Sequence, residues 1–203
     1  MIDLYIVGMG PGNPDYLLPL AVKVIDRADV LIGGRRHLES YEGTQKILVP
    51  LKGGYEPLIR DSLERYKGYS IAILVSGDPG YHSPLRLIRE SLSDLRLQVI
   101  PGLSSFQYLF TKVGLPWQGA QLISMHGNSP QRWTDLLNEQ MSVLLLDTKT
   151  SPGKIAHYLC SQGRGDRELI IGYDLSYEFE TIVKMKASEV LMEDYRICVM
   201  ILL

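Results

Sequence analysis

Three short stretches combine the residue types from which a ligand site can be built. The first, Gly8-Met9-Gly10-Pro11-Gly12-Asn13-Pro14, directly follows an apolar run. Glycine lets backbone approach a ligand closely, because no Cβ stands in the way. A strand, a glycine-rich loop and a helix in that order invite a dinucleotide-binding reading. The details disfavour it. The fingerprint's third glycine would fall on Asn13, and Pro11 removes an N–H where a phosphate cradle needs donors. No acidic residue ends the second apolar run to grip a ribose. A close-approach loop and a purely structural tight turn both stay open.

The second stretch is Ser76-Gly77-Asp78-Pro79-Gly80-Tyr81. Asp78 precedes a proline and is biased to extended backbone. Its carboxylate can accept hydrogen bonds from a ligand's hydroxyl or ammonium groups, or it can cap neighbouring N–H groups within a turn. The third stretch is Pro101-Gly102-Leu103-Ser104-Ser105. Here Ser104 is either a helix N-cap or one of two hydroxyls turned toward a ligand. A fourth, Ser124-Met125-His126-Gly127, offers His126 as a base or hydrogen-bond donor. It is equally readable as an ordinary loop histidine.

The elements that must position these loops follow from hydrophobic periodicity. Short apolar runs predict strands over 2–7, 30–32, 47–51, 70–75 and 97–100, and amphipathic spacing predicts helices over 17–28, 55–66, 84–92 and 104–113. Alternating strands and helices indicate a mainly parallel sheet covered on both faces. In such sheets ligands bind beyond the carboxyl ends of the strands, where the glycine-rich loops fall. Gly114-Leu115-Pro116 reads as a hinge, dividing the chain into an α/β half over 1–114 and a second over 115–203. In the second half, strands are expected over 121–125, 143–146, 169–173, 181–185 and 196–202, with helices over 132–140 and 152–160. The last three strands lack intervening long helices, which favours antiparallel pairing and a mixed sheet.

Composition excludes several classes. The 203 residues are 45% hydrophobic and 22% charged, ordinary for a folded chain. A net charge of −2 lacks the basic excess of a nucleic-acid binder. Cys160 and Cys198 form no CxxC pair and read as reduced thiols of a cytoplasmic protein. The N-terminus lacks a signal-peptide pattern, and no apolar run approaches the ~20 residues of a membrane span. His37, His82, His126 and His157 show no ligand spacing, so no protein metal site is expected.

The ordered combination of loops is more specific than any one of them. Gly8–Gly12, Gly77–Pro79 and Pro101–Ser105 resemble the GxGPG, GDP and PGxSS marks of the tetrapyrrole methylase family. Gly33-Gly34-Arg35-Arg36-His37-Leu38, Ser124-Met125-His126-Gly127 and Asp174-Leu175-Ser176-Tyr177 resemble its cobalt-precorrin-7 (C5)-methyltransferase branch. The resemblance covers essentially the whole chain. It departs at Leu17-Leu18, where the family often has Leu-Thr, at Glu178, where a proline is common, and at Asn128, where an arginine is usual.

The resemblance implies two α/β domains, with S-adenosylmethionine bound in the cleft between them. The matching positions are Pro11, Gly77, Asp78, Tyr81, Ser104 and Ser105, joined by Asp147 and Leu175 from the second half. It implies methyl transfer to C5 of a cobalt-containing corrin precursor in cobalamin biosynthesis. Alignment of carbon, methyl and sulfur can supply about 7–11 kcal/mol of such a barrier, so no nucleophile–base triad is needed. A base that releases a proton would be His126, with His37 and Asp78 behind it. The substrate's carboxylates call for cations, and Arg35, Arg36 and Lys52 lie near strand ends. A solvated basic patch is the alternative for those three. A homodimer and a separate C15-methyltransferase/decarboxylase on the same pathway are also implied. Rival readings are a family member acting on uroporphyrinogen or diphthamide, and a non-catalytic protein that binds a tetrapyrrole or adenosyl ligand.

Overall fold

A computed structural model describes residues 4–52, 54–125, 130–146, 150–191 and 198–203. The chain divides into two compact units, Met1–Ser104 and Ser105–Leu203.

The first unit carries strands β1 (Leu4–Gly8), β2 (Val30–Gly33), β3 (Ile47–Pro50), β4 (Ile71–Val75) and β5 (Leu97–Ile100). They form one sheet in the order β3-β2-β4-β1-β5, and every pairing is parallel. Side chains alternate between its faces with the period of two that strands impose. Leu4, Ile6, Ile71, Ile73 and Val75 join one core with Ile59 and Ile88. Those two come from α3 (Tyr55–Arg65) and α4 (Leu85–Ser91). Val7, Leu31, Ala72 and Leu74 join the opposite core with Ala21 and Ile25 of α1 (Pro19–Arg27) and Leu38 of α2 (Arg35–Leu38). Buried residues alternate in this way only if both faces are covered, as the near-continuous apolar runs imply. α1 starts at Pro19, whose fixed φ suits a first helical turn.

Strand order and helix placement together locate a switch point. From β1 the chain crosses toward β2 through α1, on one face. From β4 it crosses the other way to β5 through α4, on the opposite face. Right-handed crossovers require that change of face when direction reverses. The carboxyl ends of the adjacent strands β1 and β4 therefore mark the switch point, the place where open α/β sheets take their ligands.

The second unit carries β6 (Gln121–Ser124), β7 (Ser142–Leu145), β8 (Glu168–Tyr173), β9 (Thr181–Lys186) and β10 (Cys198–Leu202) in the order β6-β7-β10-β8-β9. β6 and β7 run parallel and the other pairs antiparallel. A mixed sheet is what short connections between β8, β9 and β10 predict. Its core gathers Met125, Leu144, Ile155, Leu159, Ile171 and Met200. Ile155 and Leu159 lie on α7 (Pro152–Ser161), which Ser151 caps by accepting from the Lys154 N–H at 3.4 Å.

Two differences from the sequence reading have physical causes. Helix α5 (Ser105–Val113), expected before the hinge at 114, groups with the second unit. Its Phe106, Tyr108, Leu109 and Phe110 are buried, and it packs on β10. The helix expected over 132–140 forms only as α6 (Pro130–Asp135) and gives way to turns. Arg167 claims the carbonyls beyond it: Leu136 O at 2.7 Å, Asn138 O at 2.6 Å and Gln140 O at 3.0 Å, with Leu203 O at 3.2 Å. These bonds hold the carbonyls in the turns seen there, aimed at the guanidinium instead of along a helix axis. No helix among the described residues is long and apolar enough to cross a membrane.

Arg167→Met keeps the stem and removes these bonds. A stability loss of about 2–4 kcal/mol is expected, below the full sum for four charge-assisted bonds because water replaces some of them. Urea unfolding of the two proteins checks it; coincident curves would refute the assigned role.

Candidate functional site

The three loops singled out from sequence meet at the carboxyl edge of the first sheet, and they meet as bare backbone. A Cβ on Gly8 would fall 2.7 Å from both Gly102 N and Gly77 O. One on Gly102 would fall 2.2 Å from Gly77 O and 2.9 Å from Gly8 Cα. No side chain fits at either position, so glycine here is a condition of the loops closing together.

Hydrogen bonds lock that closure. Gly10 and Gly77 form an antiparallel bridge: Gly10 N–H donates to Gly77 O at 3.3 Å and Gly77 N–H to Gly10 O at 2.9 Å. Met9 N–H donates to Val75 O at 2.8 Å. Asp78 ties in the third loop: Oδ1 accepts from Gly80 N–H at 2.7 Å and Oδ2 from Gly102 N–H at 3.0 Å. Five loop amides, those of Met9, Gly10, Gly77, Gly80 and Gly102, are thus committed inside the protein. A phosphate cradle needs such amides free. Together with the missing N–H of Pro11, this removes the basis for a dinucleotide site. The Asp78 capping alternative is realised, while each oxygen keeps a lone pair for a further donor.

Around this closure stand the other positions named from sequence. Ser104 is buried, and a Cβ on Gly77 would lie 3.6 Å from its Cα. Pro11 and Tyr81 are half-buried. Burial pushes the Tyr81 phenol up to about 12, and its ring lies edge-on to His82 with centroids 4.5 Å apart.

Within the 33–38 stretch, which supplied Arg35 and Arg36 as candidate cations and His37 as a secondary base candidate, residues 35–38 form the short helix α2 beside the second loop. Arg36 Nη2 donates to Ser76 Oγ at 2.6 Å, and His37 Nε2 lies 2.9 Å from the same oxygen. Burial, and then the Arg36 cation, lower the His37 pKa to about 4. The neutral ring shares a hydrogen bond with Ser76 Oγ, which also accepts from Arg36. The three cations expected together are distributed differently. Arg36 reaches the second loop. Arg35 instead borders a cavity of about 490 Å³ with Leu38, Glu39, Glu42, Leu48 and Pro50, where two carboxylates accompany it. Lys52 is exposed just beyond β3. Sequence reasoning placed Ser76 in the second loop but gave it no role.

In the second unit, Ser105 opens α5, and Leu175 is buried in the turn between β8 and β9. A Cβ on Gly172 would fall 2.6 Å from Leu175 Cδ2 and 2.9 Å from Leu109 Cδ1, so this glycine makes room for both leucines. His126 and Asp147 lie outside the described residues. Among the described residues no group of three His, Cys, Asp or Glu side chains could hold a metal ion.

Comparison with known proteins gives a consistent result. Residues 3–191 match the family model of the Tetrapyrrole (Corrin/Porphyrin) Methylases. The chain is 31% identical over 188 residues to the cobalt-precorrin-7 C(5)-methyltransferase of Salmonella typhimurium, covering 92% of each chain. It is 30% identical over 200 residues to the probable cobalt-precorrin-7 C(5)-methyltransferase of Methanocaldococcus jannaschii, covering 95% of this chain and 93% of that one. Among solved structures, it superimposes with a TM-score of 0.77 on uroporphyrin-III C-methyltransferase of Thermus thermophilus, crystallised with S-adenosyl homocysteine. That match covers 98% of this chain and 96% of the other at 21% identity, a likeness of fold.

His37 generates a pH prediction. Unfolded, the ring takes up a proton near 6.5; folded, only near 4. Between these values the unfolded chain holds a proton that the folded chain lacks, so stability falls as pH drops through 6.5 and the loss is complete below about 4. Its size is expected to be about 2–3 kcal/mol, allowing for partial solvent screening. Urea unfolding at pH 4 to 7 checks it: His37→Gln should flatten the slope relative to the wild type, and parallel slopes would contradict the assignment.

Proposed function

Since this chain belongs to the tetrapyrrole (corrin/porphyrin) methylases, we propose that it transfers a methyl group from S-adenosylmethionine to C5 of cobalt-precorrin-7 in cobalamin biosynthesis. The observation that carries this reading is the 31% identity over 92% of the chain to a protein named for that reaction. The geometry agrees with the donor class. A switch-point crevice whose amides are already spent suits a ligand with no phosphate to hold. What it offers instead is hydroxyl, carboxylate and apolar surface.

The residues that would hold the donor are Pro11, Gly77, Asp78, Tyr81, Ser104, Ser105 and Leu175, with Asp147 a further candidate. Bound there, S-adenosylmethionine supplies a methyl on a sulfonium, already activated for transfer. The chain's own work is then positioning. The Gly8–Gly77–Gly102 contact fixes the floor, Pro11 gives a flat apolar face without an N–H, and Asp78 keeps the second and third loops at one distance. Such fixed alignment is worth about 7–11 kcal/mol in a two-reactant step. Arg36 is the best-placed cation for a substrate carboxylate. One donor is held by Ser76, which orients the guanidinium while its other N–H groups can form a bidentate contact. His126 is the candidate base for a proton released during methylation. We further propose a cytoplasmic homodimer, with a separate enzyme acting at C15.

Calorimetric titration tests the donor class first. S-adenosylhomocysteine is expected to bind at micromolar concentration and NAD not at all; binding of NAD alone would overturn the reading. Asp78→Ala is expected to weaken that binding by about 1–3 kcal/mol, the scale for hydrogen bonds to a charged group. Unchanged affinity in the folded variant would remove Asp78 from the site.

A further inference from the structure

The turn between β8 and β9 adopts a conformation its residues do not favour. Asp174 (φ 46°) and Ser176 (φ 70°) both occupy the left-handed region, although neither is glycine. Side chains with a Cβ persist there only where surrounding contacts hold them. Leu175, between them, is buried over Gly172 and against Leu109 of α5.

The second holding contact comes from Glu180, at the far end of the turn. Its Oε2 accepts from the Ser176 N–H at 2.6 Å, directly at one of the two unfavourable residues. Its Oε1 pairs with Lys112 Nζ at 3.0 Å, and the Tyr108 hydroxyl donates to the same carboxylate. Tyr108 and Lys112 both belong to α5, and the Lys112 ammonium also sits 5.5 Å from the centre of the Tyr108 ring. Burial by itself would raise the Glu180 pKa. The Ser176 N–H, the Tyr108 hydroxyl and Lys112 outweigh it, and the carboxyl is held below its ordinary value. The side chain is only 16% exposed, so water competes weakly for these bonds.

α5 begins at Ser105 and the turn contains Leu175, two of the positions assigned to the donor. We propose that Glu180 is a positioning residue for donor binding: its carboxylate fastens the 174–177 turn to α5, fixing Leu175 relative to the helix that starts at Ser105. The inference rests on the reading of those two positions as donor contacts. A purely structural Glu180 would stabilise the unit without altering affinity for an adenosyl ligand. A positioning Glu180 changes affinity, and the change depends on how well position 180 still joins Ser176 to α5.

The test is calorimetric titration of the full chain and its variants with S-adenosylhomocysteine, paired with thermal melting. Glu180→Ala is expected to weaken binding at least tenfold. Glu180→Gln, whose amide oxygen can still accept from Ser176 N–H, is expected to stay within about threefold of wild type. Lys112→Met, which removes only the cation, is expected to weaken binding two- to fivefold at an unchanged melting temperature. Wild-type affinity in folded Glu180→Ala, with or without a lowered melting temperature, overturns the proposal. Should Glu180→Ala fail to fold, wild-type affinity in Lys112→Met overturns it instead. Absence of binding by the wild type itself would sink the donor reading and this inference with it; binding by the wild type with no effect of the variants sinks only the inference.

Discussion

Everything at the carboxyl edge of the first sheet depends on one steric fact: Gly8, Gly77 and Gly102 touch through their backbones, at distances that exclude a Cβ at Gly8 or Gly102. The contact brings three loops from three strands to one point. It lets Gly10 and Gly77 bridge and lets a single carboxylate, Asp78, reach the amides of Gly80 and Gly102. With a methyl group at position 102 the loops would have to part. Parallel strand order puts β1 beside β4; the glycines let the loops beyond them close backbone on backbone.

The same closure bears on what the loops could bind. A glycine-rich loop between a strand and a helix is usually associated with phosphate, because its amides point outward. In this chain Gly10 and Gly77 spend their amides on each other, Gly80 and Gly102 spend theirs on Asp78, and Pro11 has none to offer. The chemistry shifts from anion cradling to close approach, with hydroxyl, carboxylate and apolar contacts. That is a reasonable environment for a sulfonium donor, whose charge is positive and whose reaction needs alignment more than activation. Family membership and physical reading converge here from independent observations.

Polar side chains fasten the surroundings of both groups of loops. Arg36 and neutral His37 share Ser76 in the first unit. Glu180 gathers Ser176, Tyr108 and Lys112 in the second. In each case a short element is held by hydrogen bonds to a group many residues away, where hydrophobic packing alone would leave it free to slide. Arg167 does the same for the segment after α6, where the expected helix does not continue over 136–140.

Sequence alone determined the period of every strand and nearly every helix, the parallel first sheet, the mixed second one and the three loops of the candidate site. Those features are local. Alternation, glycine spacing and proline placement are set within a few residues, and buried parallel strands announce themselves as apolar runs. Tertiary structure decided the rest. It assigned α5 to the second unit, because the partners of its apolar face lie about 60 to 90 residues later in the chain. It separated Arg36 from Arg35, adjacent in sequence but turned to different surroundings on a single helical turn. It realised the capping reading of Asp78 by placing Gly102 N–H within reach. It also joined Glu180 to α5, a pairing that no spacing rule could anticipate. Hydrogen bonds between distant residues depend on how sheets and helices stack, and a linear pattern records the stacking faces but not the atoms that meet across them.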